Sequence, residues 1–202
     1  MKTAFRYRTA WPAVIAGALI VGTLPVSHDT VRAEASGQAG AVNADAAVIA
    51  DFMKRVEAYV ALHRKVDSGL QEPPRDGRPE TFIMHEQAFA KAIQQERPYA
   101  APGDIFTKPM RNIVRRLLAS VFRGPGGREI KKSILDEDTR HIPLQVNMQY
   151  PEGAPLSTMP LQIIQGLPKL PEGLEYRFIG DRLILLDAHA RLIVDVVDRV
   201  FP

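Results

Sequence analysis

The 202 residues include no cysteine, which excludes a disulfide scaffold, thiol catalysis and thiolate metal sites. The formal charge of +3 is concentrated at the start: residues 1–33 hold Lys2, Arg6, Arg8 and Arg32 against Asp29, and taking four from 26 basic and one from 23 acidic residues leaves 22 of each. So balanced a remainder excludes a general nucleic-acid binder, and about 170 residues suffice for one domain with a sizeable core.

The first 33 residues follow the order of a secretory signal peptide, with a basic start, an apolar stretch from Trp11 to Val26 and a polar end. Val31 and Ala33 suit the two shallow pockets of a signal peptidase, so the expected mature terminus is Glu34. The apolar stretch contains Gly17, Gly22 and Pro25 and falls short of the roughly 20 residues a membrane span needs. The membrane is therefore met only during export, and the expected location is periplasmic or secreted. Residues 34–44, rich in Ala, Gly and Ser, read as a flexible tether ahead of a single α+β domain over 45–202.

That domain divides by periodicity into a helical part, 45–138, and a β part, 142–202. From about Asp45 to Asp67, Ile49, Phe52, Met53, Val56, Val60 and His63 recur at helical steps, and Ser68-Gly69 predicts a left-handed C-cap. A second helix is expected from Glu80 to about Glu96, stopped by Pro98. Thr107 and Pro109 open a third, whose stripe of Met110, Ile113, Val114, Leu117, Leu118 and Val121 is the clearest in the chain. A short fourth helix is expected over about Arg128 to Asp136, after Gly124-Pro125-Gly126-Gly127.

The period then changes to two. Leu144 to Gln149 alternate apolar and polar as in a half-buried strand, and Pro160 to Gln165 predict one helical turn. The last third predicts a three-stranded antiparallel meander: Leu174 to Phe178, a Gly180-Asp181 turn, Arg182 to Asp187, a turn at Ala188 to Ala190, and Leu192 to Val197. The two later strands are so apolar that both faces must be covered, with the first and third helices as the expected cover.

Leu170-Pro171-Glu172-Gly173-Leu174-Glu175-Tyr176-Arg177-Phe178-Ile179-Gly180-Asp181-Arg182-Leu183-Ile184-Leu185-Leu186-Asp187, continuing through Leu192-Ile193-Val194-Asp195, resembles the C-terminus of a family of uncharacterised exported bacterial proteins. The likeness extends to Tyr150–Ser157 and to Asp51–Lys65, and it implies export without implying an activity. The last hairpin alone is similar to that of periplasmic nickel/cobalt-homeostasis proteins.

No catalytic motif is complete. His85-Glu86 starts like a zincin helix, but Phe89 stands where the second histidine belongs. Asp136-Glu137-Asp138 with His141 lacks the alternate spacing of a calcium loop. Neither a nucleophile elbow nor a phosphate-binding glycine loop is present. The strongest candidate for a divalent metal is Asp187, His189 and Asp195, where residues around one turn can converge. Arg111, Arg115, Arg116 and Arg123 offer a basic face for an anionic surface or an envelope protein. The first expectation is a non-catalytic periplasmic binding or interaction protein without a resident cofactor. A divalent-metal-binding envelope protein comes second, and a hydrolase of unrecognised type third.

Overall fold

A computed structural model describes residues 29–71, 78–136, 142, 144–155, 157 and 159–201, with side chains from residue 44 onward. Two units are distinguished, Met1–Gln38 and Ala39–Pro202, and the sheet, the core and every site below belong to the second. Most of the expected leader, and all of Glu137, Asp138 and His141, lie outside the described residues. The architecture is α+β: helices α1 (Asp29–Gly69), α2 (Pro79–Glu96), α3 (Lys108–Arg123), α4 (Gly127–Leu135) and the single-turn α5 (Leu161–Gly166) precede a sheet of β1 (Leu174–Ile179), β2 (Arg182–Asp187) and β3 (Leu192–Val197). The strands form an antiparallel meander in the order β1-β2-β3, as the alternating pattern and turn residues predict.

Three local expectations need correction. Residues 34–44 are helical, not an irregular tether, because α1 begins at Asp29. Ala35, Ala39, Ala41 and Ala44 favour helix strongly enough to carry Gly37 and Gly40, each of which costs about 1 kcal/mol. Gly69 does not adopt the left-handed cap, and the chain instead leaves α1 through a turn in which Leu70 N–H donates to the Asp67 carbonyl. Leu144 to Gln149 is not a strand. Asn147 sits at φ 68°, a left-handed conformation that asparagine tolerates, and it turns the chain.

This turned segment still belongs to the sheet. Asn147 N–H donates to Ile193 O, Ile193 N–H to Met148 O, and Tyr150 N–H to Arg191 O, so the segment runs along the free edge of β3. Gln94 Nε2 donates to the Asn147 carbonyl and Asn147 Nδ2 to the Arg97 carbonyl, tying the turn to the end of α2.

Both faces of the sheet are covered, by different means. Leu174, Tyr176, Phe178, Leu183, Leu185, Leu192, Val194 and Val197 pack in one cluster with Phe52, Val56 and Tyr59 of α1, Phe89 and Ile93 of α2, and Met110, Val114, Leu118 and Phe122 of α3. The opposite face, Ile179, Ile184, Leu186, Ile193 and Val196, packs on Ile142, Val146 and Tyr150. Helices thus cover one face, while the 142–154 segment covers the other. On α3 the most buried positions are Met110, Val114, Leu118 and Phe122, with Ile113, Leu117 and Val121 flanking them.

A β-bulge sets the chemistry of the helix-facing side. Asp187 pairs with Leu192 and Leu186 with Ile193, but Leu185 pairs with Asp195, so Val194 is the extra residue. Simple alternation would put Asp195 on the face opposite Leu192. The extra residue rotates it to the face of Leu185 and Asp187, a re-aiming that bulges provide. Two fully buried carboxylates, Asp187 and Asp195, therefore point toward the helical layer.

Candidate functional site

Asp187 ends β2 and is completely enclosed. Its Oδ1 accepts the backbone N–H groups of His189 and Ala190 at 3.0 Å each, which closes the β2–β3 turn. Its Oδ2 accepts the Tyr59 hydroxyl and faces Nδ1 of His63, both at 2.7 Å. Tyr59 and His63 are four residues apart on α1, so one helical face delivers both groups. An ionised carboxylate only accepts, which assigns the proton between Asp187 and His63 to Nδ1 and, in the neutral ring, leaves Nε2 with a lone pair.

The electrostatics follow from this enclosure. Burial pulls the Asp187 carboxyl upward, but hydrogen bonds from His63, the Ala190 N–H and Tyr59 outweigh it and hold the group below the ordinary carboxylate range. The hydrogen bond to Asp187 raises the His63 imidazole above its usual value, aided by the charges of Asp187 and Asp67 and opposed by burial and Arg64. Burial, with the adjacent carboxylate, pushes the Tyr59 hydroxyl far above the phenol range.

These shifts predict how stability varies with pH in metal-free protein. A raised imidazole contributes stability that is fully present below about pH 6.5 and is lost as pH rises through the folded value. A lowered carboxyl contributes stability that is present above about pH 4 and is lost as pH falls through its folded value. Urea midpoints should therefore form a plateau between these limits and decline on both sides. His63→Asn keeps an amide donor in the place of Nδ1 but cannot titrate, so its alkaline decline should be flattened; an alkaline flank identical to wild type would show that His63 is not its source.

A cavity of about 200 Å³ opens beside this cluster, lined by Tyr59, His63, Arg64, Asp67, Glu172 and His189 among others. The His63 ring stands edge-on to Phe89 at 4.7 Å and lies 5.6 Å from the ring of His189. His189 is exposed on the hairpin turn, and the Nδ1–Cε1 edge of its ring lies over Gly173.

Of the expected metal trio, the structure brings Asp187 and His189 to one turn but engages Asp195 elsewhere. Asp195 Oδ1 accepts the N–H groups of Gly103 and Val196, and its Oδ2 accepts those of Ile105 and Phe106, at 2.7–2.9 Å. Both carboxylates are saturated by protein donors. Among the described residues no group of three or more His, Asp or Glu side chains is placed to hold a metal ion. In the sequence His63 reads as one more position on an apolar stripe, and Tyr59 carries no expectation. The signal that finds them is polar capacity at i and i+4 on an otherwise apolar helix face.

The basic face is largely occupied in binding the protein to itself. Arg116 pairs with Asp45 of α1 at 2.6 Å, and Arg115 donates to the Asp198 carbonyl beyond β3 at 2.9 Å. Arg111 lies against Gly103, while Arg123 ends α3 exposed to solvent.

A larger groove of about 610 Å³ lies between α5 and β1. Met159, Ile164, Leu167, Leu170, Leu174 and Tyr176 supply an apolar floor and walls, with Lys169, Glu175 and Arg177 at polar positions. Arg177 is bound to Glu175 by two hydrogen bonds, and the Tyr176 hydroxyl donates to Pro168 O. Leu161 and Ile164, respectively 64% and 48% exposed, stand on the outer side of α5. Leu117 holds the inner side: a Cβ on Gly166 would lie 2.5 Å from it, so glycine permits this close approach to α3. Compared with protein-family models, curated proteins and solved structures, the chain matches none.

Proposed function

We propose that this chain is an exported, non-catalytic binding protein that takes an apolar ligand of small-molecule size, bearing one anionic group, into the groove between α5 and β1. The observation that carries this reading is the groove itself. Its volume of about 610 Å³ falls within the range of roughly 300–1,000 Å³ typical of ligand pockets, and its lining is mainly apolar with a few charged groups. Since Glu175 occupies Arg177, Lys169 is the cation left to meet an anion among the described residues. The leader pattern and the likeness to exported bacterial proteins support a periplasmic or secreted location, with Glu34 as the mature terminus.

The fluorescent probe 1-anilinonaphthalene-8-sulfonate combines an apolar ring system with one sulfonate and tests the groove directly. It should bind the folded chain saturably, one per molecule. Ile164→Glu alters a half-exposed side chain and so should leave the melting temperature in place, yet weaken the probe about tenfold or more, equivalent to losing roughly 1.4 kcal/mol of apolar contact. Absence of saturable binding, or equal binding by the variant, would refute the groove as the ligand seat.

A further inference from the structure

We propose that His63 and His189 form a binding site for a borderline divalent cation of the zinc type, separate from the α5–β1 groove. Three observations converge. His63 already has the supporting geometry of a metal-ligating imidazole: Nδ1 lies 2.7 Å from a buried carboxylate oxygen, which fixes the tautomer and ring orientation and leaves Nε2 as the donor atom. His63 and His189 both line the same cavity, which has room for an ion with its waters. Finally, the spacing fits. Zinc binds imidazole nitrogen at about 2.0–2.1 Å, which places two ring centroids roughly 5–6 Å apart when both bind one ion at near-tetrahedral angles, and the observed separation is 5.6 Å.

The remaining coordination positions fall to water or to a small ligand arriving with the ion. Asp67 and Glu172 line the same cavity and lend it negative charge against Arg64. Asp187 is a positioning residue here and not a ligand, since its four acceptor directions already serve Tyr59, His63, His189 N–H and Ala190 N–H. This differs from a hairpin site built on Asp187 and Asp195. The hairpin contributes His189 alone, and helix α1 contributes the partner. Imidazole donors suit zinc, nickel and copper and disfavour calcium and magnesium.

Zinc ion alone, added to the chelator-stripped full chain, is the test, read by calorimetry and by the histidine ring resonances. One ion per chain should bind, shift the His63 and His189 rings together, and raise the melting temperature by about 5–10 °C at a hundredfold excess over the dissociation constant. His189→Ala removes an exposed ring that makes no side-chain hydrogen bond among the described residues. It should leave the metal-free melting temperature unchanged and weaken zinc at least tenfold. His63→Asn, which retains a donor toward Asp187 while deleting Nε2, should weaken it equally. No saturable zinc binding would overturn the proposal, as would binding that His189→Ala leaves intact. Should His63→Asn fail to fold, the outcome with His189→Ala decides alone.

Discussion

Leu185→Asp should unfold the helices and the sheet together, in one cooperative loss of circular dichroism. Leu185 is fully buried at the centre of β2, in the cluster that contains Phe52 and Val56 of α1 and Val114 and Leu118 of α3. Deleting the leucine contacts costs about 2–5 kcal/mol, and placing a charge there adds several more even after relaxation. The register makes matters worse, because the new carboxylate would stand directly across the ladder from Asp195, and opposed like charges destabilise a strand pair. A total of about 5 kcal/mol or more is comparable with the stability of an ordinary domain. If the helical signal persisted while only the C-terminal third became protease-sensitive, helices and sheet would be separate cooperative units and the shared core would be the wrong description.

Asp195→Ala should cost several times the roughly 1 kcal/mol of an ordinary hydrogen bond without touching a large apolar contact. Gly103 at φ 101°, Ile105 and Phe106 turn their N–H groups inward to one carboxylate, and among the described residues those groups have no other acceptor. Removing the acceptor leaves several buried donors unpaired at about 1–3 kcal/mol each, offset in part by the relief of burying one charge less. Asp195→Asn is the informative companion. Its amide nitrogen would face backbone donors on one side, so its stability should lie nearer to alanine than to wild type. Urea denaturation of the three proteins gives the order, and an asparagine variant as stable as wild type would mean that the charge of Asp195 has no part in holding the loop.

The meander, the four longer helices and the apolar character of β2 and β3 were legible in the sequence because each rests on a local period. Turns at Gly180-Asp181 and Ala188–Ala190 needed only the residues on the spot. Leu144 to Gln149 misled because alternation records which side chains are buried, and a turned segment clasped to β3 buries Val146 while Asn147 reverses the chain. The facing of Asp195 was not legible for a related reason. Its side chain faces the helices only because Val194 is an extra residue in the ladder, and an extra residue leaves no mark in the alternation of Leu192 to Val197. Tyr59 and His63 carry a local mark, four residues apart on α1, but their pairing with Asp187 was out of reach, since Tyr59 and Asp187 stand 128 positions apart and no spacing rule spans that distance. The sequence suggests Asp187 and His189 as neighbours around one turn, while the contact of Asp187 with α1 is visible only in the fold.

That long separation also orders events in time. A chain that emerges from its N-terminus first presents α1 early, while the carboxylate that receives Tyr59 and His63 arrives only with Asp187, near the end of synthesis. Until then the apolar face of α1 has no strand to close upon, and contacts this distant in sequence slow the search for the native state. The core that α1 shares with β2 and β3 therefore lacks its strand side until those strands are present. A polypeptide built this way completes its core only when its last strands have been made.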